Sequence, residues 1–258
     1  MTHIFLESHG VHLDVEVQDA GLLPVVERIL PPGWQPSDRF PEDGHLTLAA
    51  SGDHAFDVLL DGGPVASGVS ADLAVQVLDA QLRGRIALLA ADRIFVHAGV
   101  VALGERALLL PAPSFAGKSA LVAALVRAGA TYFSDEFAVL DEDGLVHPYA
   151  KPLSLRSEAS RHGAATTVDA LGGRAGDGPA AVGVIAVTRY VPESRWAPER
   201  RGAGEGALAL LANAVPARSR PAETLRAAGR AAAQAVVLEG PRGDADETAA
   251  LLLAAIGG

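Results

Sequence analysis

The amino-acid sequence predicts an α/β fold preceded by a small strand-rich module. Strand-like and helix-like patterns alternate from residue 94 to the end of the chain, which is typical of the α/β class. Residues 1–69 hold mainly short segments of alternating hydrophobicity separated by turn residues. A chain of 258 residues is long enough for a main domain with an appendage. We therefore expect a small α+β module at 1–69 and the main domain at 70–258.

The first module shows a few short elements and no catalytic constellation. Alternating apolar residues predict strands at His12–Val17, His45–Ala50 and Ala55–Leu60, and the pattern at Leu22–Leu30 predicts a short helix. The last two strands are joined through a hairpin-type turn. We expect this module to have a structural role or to bind a partner.

The main domain begins with the longest helical pattern, Ser70–Asp92, for which Ser70 is the expected N-cap. Glycine and acidic breaks then separate shorter elements. Strands are expected at Ile94–Ala102, Arg106–Leu110, Thr131–Ser134, Phe137–Asp141, Leu145–Tyr149, Pro152–Arg156 and Val182–Tyr190. Helices are expected at Ser119–Arg127, Glu205–Ala214, Ala222–Ala235 and Asp244–Ile256. Residues 157–180 are rich in small and charged residues and predict a mobile loop.

Composition excludes several classes of function. The chain has no cysteine, so disulfides, thiolate metal sites and cysteine nucleophiles are excluded. Its net charge of −10 and the absence of a basic block argue against a nucleic-acid partner. No signal-peptide pattern is recognisable, and charges interrupt the most apolar long segment, Leu73–Ala91. We therefore expect a cytoplasmic protein without a membrane partner.

Lysine usage points to a phosphate-binding loop. Among 21 basic residues only Lys118 and Lys151 are lysines. Lys118 lies in Ala-Pro-Ser-Phe-Ala-Gly-Lys-Ser, after an apolar strand pattern and before a helix, the setting in which a compact ammonium reaches between phosphates. The backbone of such a loop cradles the phosphates, and Ser119 would offer its hydroxyl to Mg²⁺. The expected nucleotide-binding residues are Ala112, Pro113, Ser114, Phe115, Ala116, Gly117, Lys118, Ser119 and Ala120.

Two adjacent acids follow the strand after this helix. Asp135 and Glu136 would lie at the sheet edge that faces the phosphate site in open α/β sheets. A kinase needs one acid to take the proton of the attacking hydroxyl and usually a second one for the metal. We assign Asp135 to the proton and Glu136, with Ser119, to Mg²⁺, although a solvated strand end would also place acids here.

The order of these motifs resembles the catalytic domain of the HPr kinase/phosphorylase family, which are bacterial P-loop serine kinases. The resemblance is strongest over residues 97–156 and runs through His97-Ala98-Gly99-Val100, Gly117-Lys118-Ser119 and Ser134-Asp135-Glu136. Val187–Pro192 and the helix after Glu205 are similar to HPr-kinase-related proteins found beside peptide-modification genes. The family implies a core of the HPr kinase/PEP carboxykinase type that uses ATP and Mg²⁺.

The resemblance also implies roles for single residues. His97 would lie near Asp135 and orient it, although a core histidine is an equal alternative, and Lys118 would act with them in catalysis. Arg156 would contact phosphate or substrate, with a solvated arginine as a nearly equal alternative. Arg189, next to Tyr190, would line the acceptor pocket, although a structural strand end is the favoured interpretation. The related kinases often assemble through this domain, so a homo-oligomer is compatible with the family.

Three departures from the family pattern narrow the expected function. Ala112 and Phe115 stand where the loop of the family has glycine, and Glu136 replaces an aspartate. The glycine-rich signature tied to HPr and to phosphorolysis is missing, with Lys151–Arg156 in its place. We therefore expect a kinase for a serine or threonine hydroxyl of a peptide or small protein other than HPr. A small-molecule hydroxyl kinase and a nucleotide-binding regulatory or scaffold protein with little turnover are the alternatives.

Overall fold

The chain forms two compact units, Met1–Asp92 and Arg93–Gly258. The computed structural model describes residues 1–113, 116–157 and 160–257, and the side chains of 156, 157 and 160–164 lie outside this description. Helices and mixed sheets make up the described residues, so the predicted α/β class is confirmed. The boundary lies after Asp92 rather than after residue 69. Each unit has its own sheet and its own helices.

Unit 1 is built on a six-stranded sheet with the strand order β3-β1-β2-β4-β5-β6. Alternation of polar and apolar residues buries one face, because Leu13, Val15 and Val17 of β2 are fully buried. The strands are β1 (Thr2–Ser8), β2 (Val11–Val17), β3 (Gln35–Pro36), β4 (His45–Gly52), β5 (Ala55–Leu60) and β6 (Gly63–Val69). A short helix, α1 (Leu23–Ile29), lies between β2 and β3.

The long helix α2 (Ala71–Leu89) belongs to unit 1 because it packs on β4, β5 and β6. Its predicted apolar stripe is buried, with Leu78, Leu82 and Ile86 fully enclosed. Ser70 holds the N-cap position as expected, but its side chain makes no capping hydrogen bond. The helix therefore completes the core of the first unit and moves the boundary to its C-terminal end.

Unit 2 contains an eight-stranded mixed sheet. Its order is β11-β10-β7-β8-β14-β16-β15, and β9 pairs with β7 beside β10. Neighbouring strands β8, β14 and β16 are parallel, whereas β7 runs antiparallel to β8. The strands are β7 (Ile94–Leu103), β8 (Arg106–Pro111), β9 (Thr131–Ser134), β10 (Phe137–Leu140), β11 (Val146–His147), β14 (Ala181–Tyr190), β15 (Glu199–Arg201) and β16 (Val236–Arg242).

Helices cover both faces of this sheet. Helices α3 (Lys118–Arg127) and α6 (Ala245–Gly257) pack on one face, and α4 (Ala203–Ala212) and α5 (Pro221–Ala233) pack on the other. Strand β8 serves both cores, because Leu108 and Leu110 join the first cluster while Ala107 and Leu109 join the second. A strand buried on both faces has a continuous apolar sequence, as Ala107–Leu110 does.

The described residues between 157 and 180 contain secondary structure where the sequence predicted a mobile loop. Strand β13 (Ser160–Thr166) pairs antiparallel with β12 (Leu153–Ser157), and a single 3₁₀ turn follows at Asp169–Leu171. The sequence of Ser160–Thr166 has a low strand propensity, so it gives a weak strand signal. The strand is recognised only from its pairing with β12. The other predicted elements of unit 2 are present, with bounds shifted by a few residues at most.

Candidate functional site

The loop between β8 and α3 has the strand–loop–helix frame predicted for it. Gly117 holds the N-cap of α3 in the left-handed region, at φ +81° and ψ +19°, which glycine adopts without strain. Among the described residues with positive φ, neither Ala112 nor Ala116 appears, so alanine causes no such strain at these two positions. Ser114 and Phe115 lie outside the described residues.

Contacts on both sides fix the described part of the loop. Ala112 is buried, and its N–H donates to the carbonyl of His97 on β7 at 3.2 Å. The N–H of Ala116 donates to the carbonyl of Pro113 at 3.4 Å. The N–H of Leu121 donates to the carbonyl of Gly117 and begins the hydrogen-bond pattern of α3. The N–H groups of the residues before Leu121, including exposed Ala120, form the first turn of the helix. Such first-turn N–H groups are those that bind anions at the start of a helix.

Lys118 lies at the start of α3 and reaches back across the loop. Its Nζ donates to the carbonyls of Ala112 and Pro113, both at 2.8 Å. Burial lowers the pKa of the Lys118 ammonium from its usual 10.5, and the carboxylate of Asp135 partly opposes this shift. The lysine therefore carries a partly desolvated charge that neutral carbonyl oxygens satisfy.

Ser119 and Asp135 are in direct contact, although 16 positions separate them in the chain. The Ser119 hydroxyl donates to Asp135 Oδ2 at 2.7 Å. Asp135 is only 6% exposed and lies in the break between β9 and β10, both of which pair with β7. That break is opposite the end of β8, since the Ala98 N–H donates to the Glu136 carbonyl and Ala98 pairs with Pro111. The sheet register thus brings the two predicted residues together.

Tyr132 orients the Asp135 carboxylate, a role that the sequence did not predict. Its buried hydroxyl lies 3.1 Å from Asp135 Oδ1 and 2.8 Å from the carbonyl of Lys151. Burial raises the pKa of Tyr132, and the neighbouring Asp135 raises it further, so the phenol remains protonated and donates. The N–H of Ser154 adds a third hydrogen bond, to Asp135 Oδ2 at 3.3 Å. In the sequence, the only sign of this contact is that Tyr132 precedes Asp135 by three positions.

Glu136 forms an ion pair with the second lysine of the chain. Lys151 Nζ lies 3.1 Å from Glu136 Oε2, and both side chains are largely buried. Lys151 was not among the predicted site residues, yet its contact with Glu136 places it beside the acid pair. The side chain of Arg156 lies outside the described part of the structure, although its backbone belongs to β12.

The remaining predicted residues occupy two different places. His97 lies opposite Phe137 on β10, and the two ring centroids are 4.9 Å apart. The predicted action of His97 on Asp135 stays a prediction. Arg189 is exposed near the end of β14, at the carboxyl edge of the parallel strands.

A buried arginine, Arg242, also lies against the loop, and the sequence did not predict it. It ends β16, is 3% exposed, and its Nη2 donates to the carbonyl of Gly117 at 3.0 Å. The apolar run Val236-Val237-Leu238 between two helices was the signal for this strand. Strand β16 is parallel to β14, so Arg242 at its end lies at the same edge of the sheet as the loop.

Comparisons with protein-family models, with curated proteins and with solved structures find no match to this chain. Within the described residues, no helix is both long enough and apolar enough to span a membrane.

Proposed function

We propose that unit 2 is a P-loop kinase core of the HPr kinase/PEP carboxykinase type that uses ATP and Mg²⁺ to phosphorylate a serine or threonine hydroxyl of a peptide or small protein. The hydrogen bond between Ser119 and Asp135 carries this proposal. In P-loop enzymes the hydroxyl after the loop lysine and the acid of a neighbouring strand hold the metal together. Here these two oxygens are 2.7 Å apart.

The site has oxygen ligands that suit Mg²⁺. The described residues contain no group of three or more histidine or carboxylate side chains that could hold a metal. Mg²⁺ in nucleotide enzymes is usually held by one or two carboxylates together with phosphate oxygens and water. Ser119 and Asp135 would supply the protein ligands, and the bound ion would neutralise charge on the β- and γ-phosphates.

The loop has the cations and N–H groups that suit a triphosphate. Lys118 Nζ donates to two neutral carbonyls, and turning toward a phosphate would replace these bonds with charge-assisted ones. The N–H groups of the first turn of α3 and the positive end of its dipole favour the same anion. Ala112 and Ala116 keep ordinary φ values, so the glycine-poor loop remains compatible with the role.

The contacts favour a different division of work between the two acids than the sequence suggested. Asp135 Oδ2 accepts the hydrogen bond of Ser119, so we propose that Asp135 is the metal-side acid. Glu136 is then the acid available to take the proton of the acceptor hydroxyl. Lys151, paired with Glu136, would hold its carboxylate in place.

A nucleotide-binding regulatory or scaffold protein with little turnover is the second candidate. One observation favours it, because both acids already have strong partners. Three groups donate to Asp135, and Glu136 pairs with Lys151. Partners that stabilise the ionised carboxylate in this way make it a weaker general base.

Calorimetry with MgATP on the full chain tests the nucleotide site. Lys118→Ala removes a charge-assisted contact of about 1.5–3 kcal/mol, so affinity should fall by about tenfold to a hundredfold. Arg127→Ala is the matched control, because it removes a cation from the other end of the same helix. Arg127 forms an exposed ion pair with Asp246 and makes no described contact with the loop. Equal affinity of the wild type and Lys118→Ala would refute the phosphate-loop assignment.

Phosphoryl transfer separates the two candidates. Radiolabelled ATP with a library of serine- and threonine-containing peptides should give labelled peptide with the wild type and none with Glu136→Gln. Tight MgATP binding without transfer to any peptide or to small alcohols would favour the regulatory protein. Transfer to small alcohols alone would instead identify a small-molecule kinase.

A further inference from the structure

The carboxyl ends of three parallel strands lie at one edge of the unit 2 sheet. Strand β8 ends at this edge at Pro111, β14 ends there at Tyr190, and β16 ends there at Arg242. Tyr190 and Arg242 are paired in register. Ile185 is the last residue of β14 that pairs with β8. Strand β14 continues from there to Tyr190, so it extends past the end of β8. In open α/β sheets ligands bind in the crevice outside these carboxyl ends.

The Arg242 guanidinium bridges the loop and the ring of Tyr190. Nη2 donates to the Gly117 carbonyl at 3.0 Å, Nη1 donates to the Gly243 carbonyl at 3.3 Å, and Cζ lies 5.4 Å from the centroid of the Tyr190 ring. A Cβ on Gly117 would come within 2.7 Å of Nη2, so the arginine packs closely on the loop. The described residues place no hydrogen-bond partner at Nε.

A cation buried in this way needs an explanation. None of the described ion pairs includes Arg242. Burial lowers the pKa of its guanidinium, although the nearby Tyr190 and Asp244 oppose this shift. Its hydrogen bonds to the Gly117 and Gly243 carbonyls instead hold the guanidinium beside the Tyr190 ring. The arginine therefore determines where the ring lies relative to the loop.

Tyr190 differs from the other two tyrosines of the chain. Tyr132 and Tyr149 are almost completely buried, whereas Tyr190 is 58% exposed. Arg242 lies over one side of the ring, and the exposed remainder is open to solvent. An exposed aromatic ring next to a cation is the combination on which nucleobases stack in proteins that bind them without base-specific hydrogen bonds.

We propose that the base of the bound nucleotide stacks on Tyr190, and that Arg242 is a positioning residue that holds the ring beside the phosphate loop. This proposal rests on the phosphate site of the proposed function. The single bridge of Arg242 joins the loop to the ring, so both lie within the reach of one nucleotide. Every base has a π-face, so this surface selects weakly among nucleoside triphosphates.

Calorimetry with MgATP and with magnesium tripolyphosphate tests the proposal. Tyr190→Ala should weaken ATP binding by about tenfold or more, because stacking on one aromatic side chain contributes that much per base. Tripolyphosphate has no base, so its affinity should not change. Tyr190→Phe keeps the ring and should bind ATP as the wild type does. Leu225→Ala, which truncates another exposed apolar side chain of the same unit, should change neither affinity.

The outcomes distinguish this proposal from the one on which it rests. Unchanged ATP affinity in Tyr190→Ala overturns the stacking surface and leaves the phosphate site intact. An equal loss for ATP and tripolyphosphate also overturns it, because Tyr190 would then support the loop rather than the base. A wild-type protein that binds neither ligand refutes the phosphate site itself, and the stacking surface with it.

Discussion

Gly117→Ala tests the packing of the loop between β8 and α3 without any assumption about ligands. Gly117 has φ +81°, and a Cβ there would lie 2.7 Å from Arg242 Nη2. The alanine therefore meets two separate costs. Its backbone has to adopt a left-handed conformation, and the guanidinium has to move away from the carbonyl to which it donates.

The magnitude follows from these two costs. An L-residue in the left-handed region costs about 1–2 kcal/mol, and loss of a hydrogen bond from a charged group costs about 1.5–3 kcal/mol. We expect Gly117→Ala to lower the free energy of unfolding by about 2.5–5 kcal/mol. Gly172 is the matched control, since it has φ +72° and a Cβ added there would meet no described atom within 4 Å. Gly172→Ala should cost only the backbone part.

Urea unfolding monitored by Trp196 fluorescence measures the difference. Trp196 is buried in unit 2, and Trp34 of unit 1 is the other tryptophan, so a Trp34→Phe background reports on unit 2 alone. A loss of about 3 kcal/mol lowers the urea midpoint by roughly 1 M or more. If Gly117→Ala and Gly172→Ala lowered the midpoint equally, the contact of Arg242 with the loop would contribute nothing and the reasoning would fail.

Three further predictions concern the residues around the loop. Burial lowers the pKa of Lys118, so the charged ammonium destabilises the folded state below that pKa. The free energy of unfolding should therefore rise as the pH increases toward 10.5, the usual pKa of lysine. Urea midpoints measured across this pH range should show the rise in the wild type and not in Lys118→Met. Tyr132→Phe removes the hydroxyl shared by Asp135 and the Lys151 carbonyl and should lower the free energy of unfolding by about 1–2 kcal/mol in urea titrations; an unchanged midpoint would contradict the contact. Asp135→Asn should raise the Mg²⁺ concentration needed for ATP binding, while Glu136→Gln should not, and the reverse result in calorimetry would restore the original assignment.

Local patterns predicted most of the fold because they are set by burial on one or two faces. The stripe of α2 and the apolar run of β8 are both buried as expected. Strand β16 was missed, since only Val236-Val237-Leu238 carries its signal between two strong helical patterns. Strand β13 was missed for a related reason, because its residues have a low strand propensity and its pairing with β12 is not visible in the sequence.

The candidate site was predictable as far as single motifs allow. Spacing pointed to Lys118, Ser119 and the acid pair, and the sheet register joins Ser119 to Asp135. Arg242 lies 125 positions from Gly117, and no local pattern links the two. Such contacts follow from strand order, which the sequence did not specify because β16 was not recognised.

The two cations at the loop differ in a way that fits the chemistry of their side chains. Lys118 donates to two loop carbonyls through a flexible stem, so its ammonium can leave them and follow a bound phosphate. Arg242 donates to the carbonyls of Gly117 and Gly243 with two nitrogens of one rigid group, and its Cζ lies over the Tyr190 ring. A flexible point charge suits the group that moves, and a planar guanidinium suits the group that stays. In a chain that otherwise uses arginine for nearly every positive charge, a lysine was kept where the proposed function requires movement.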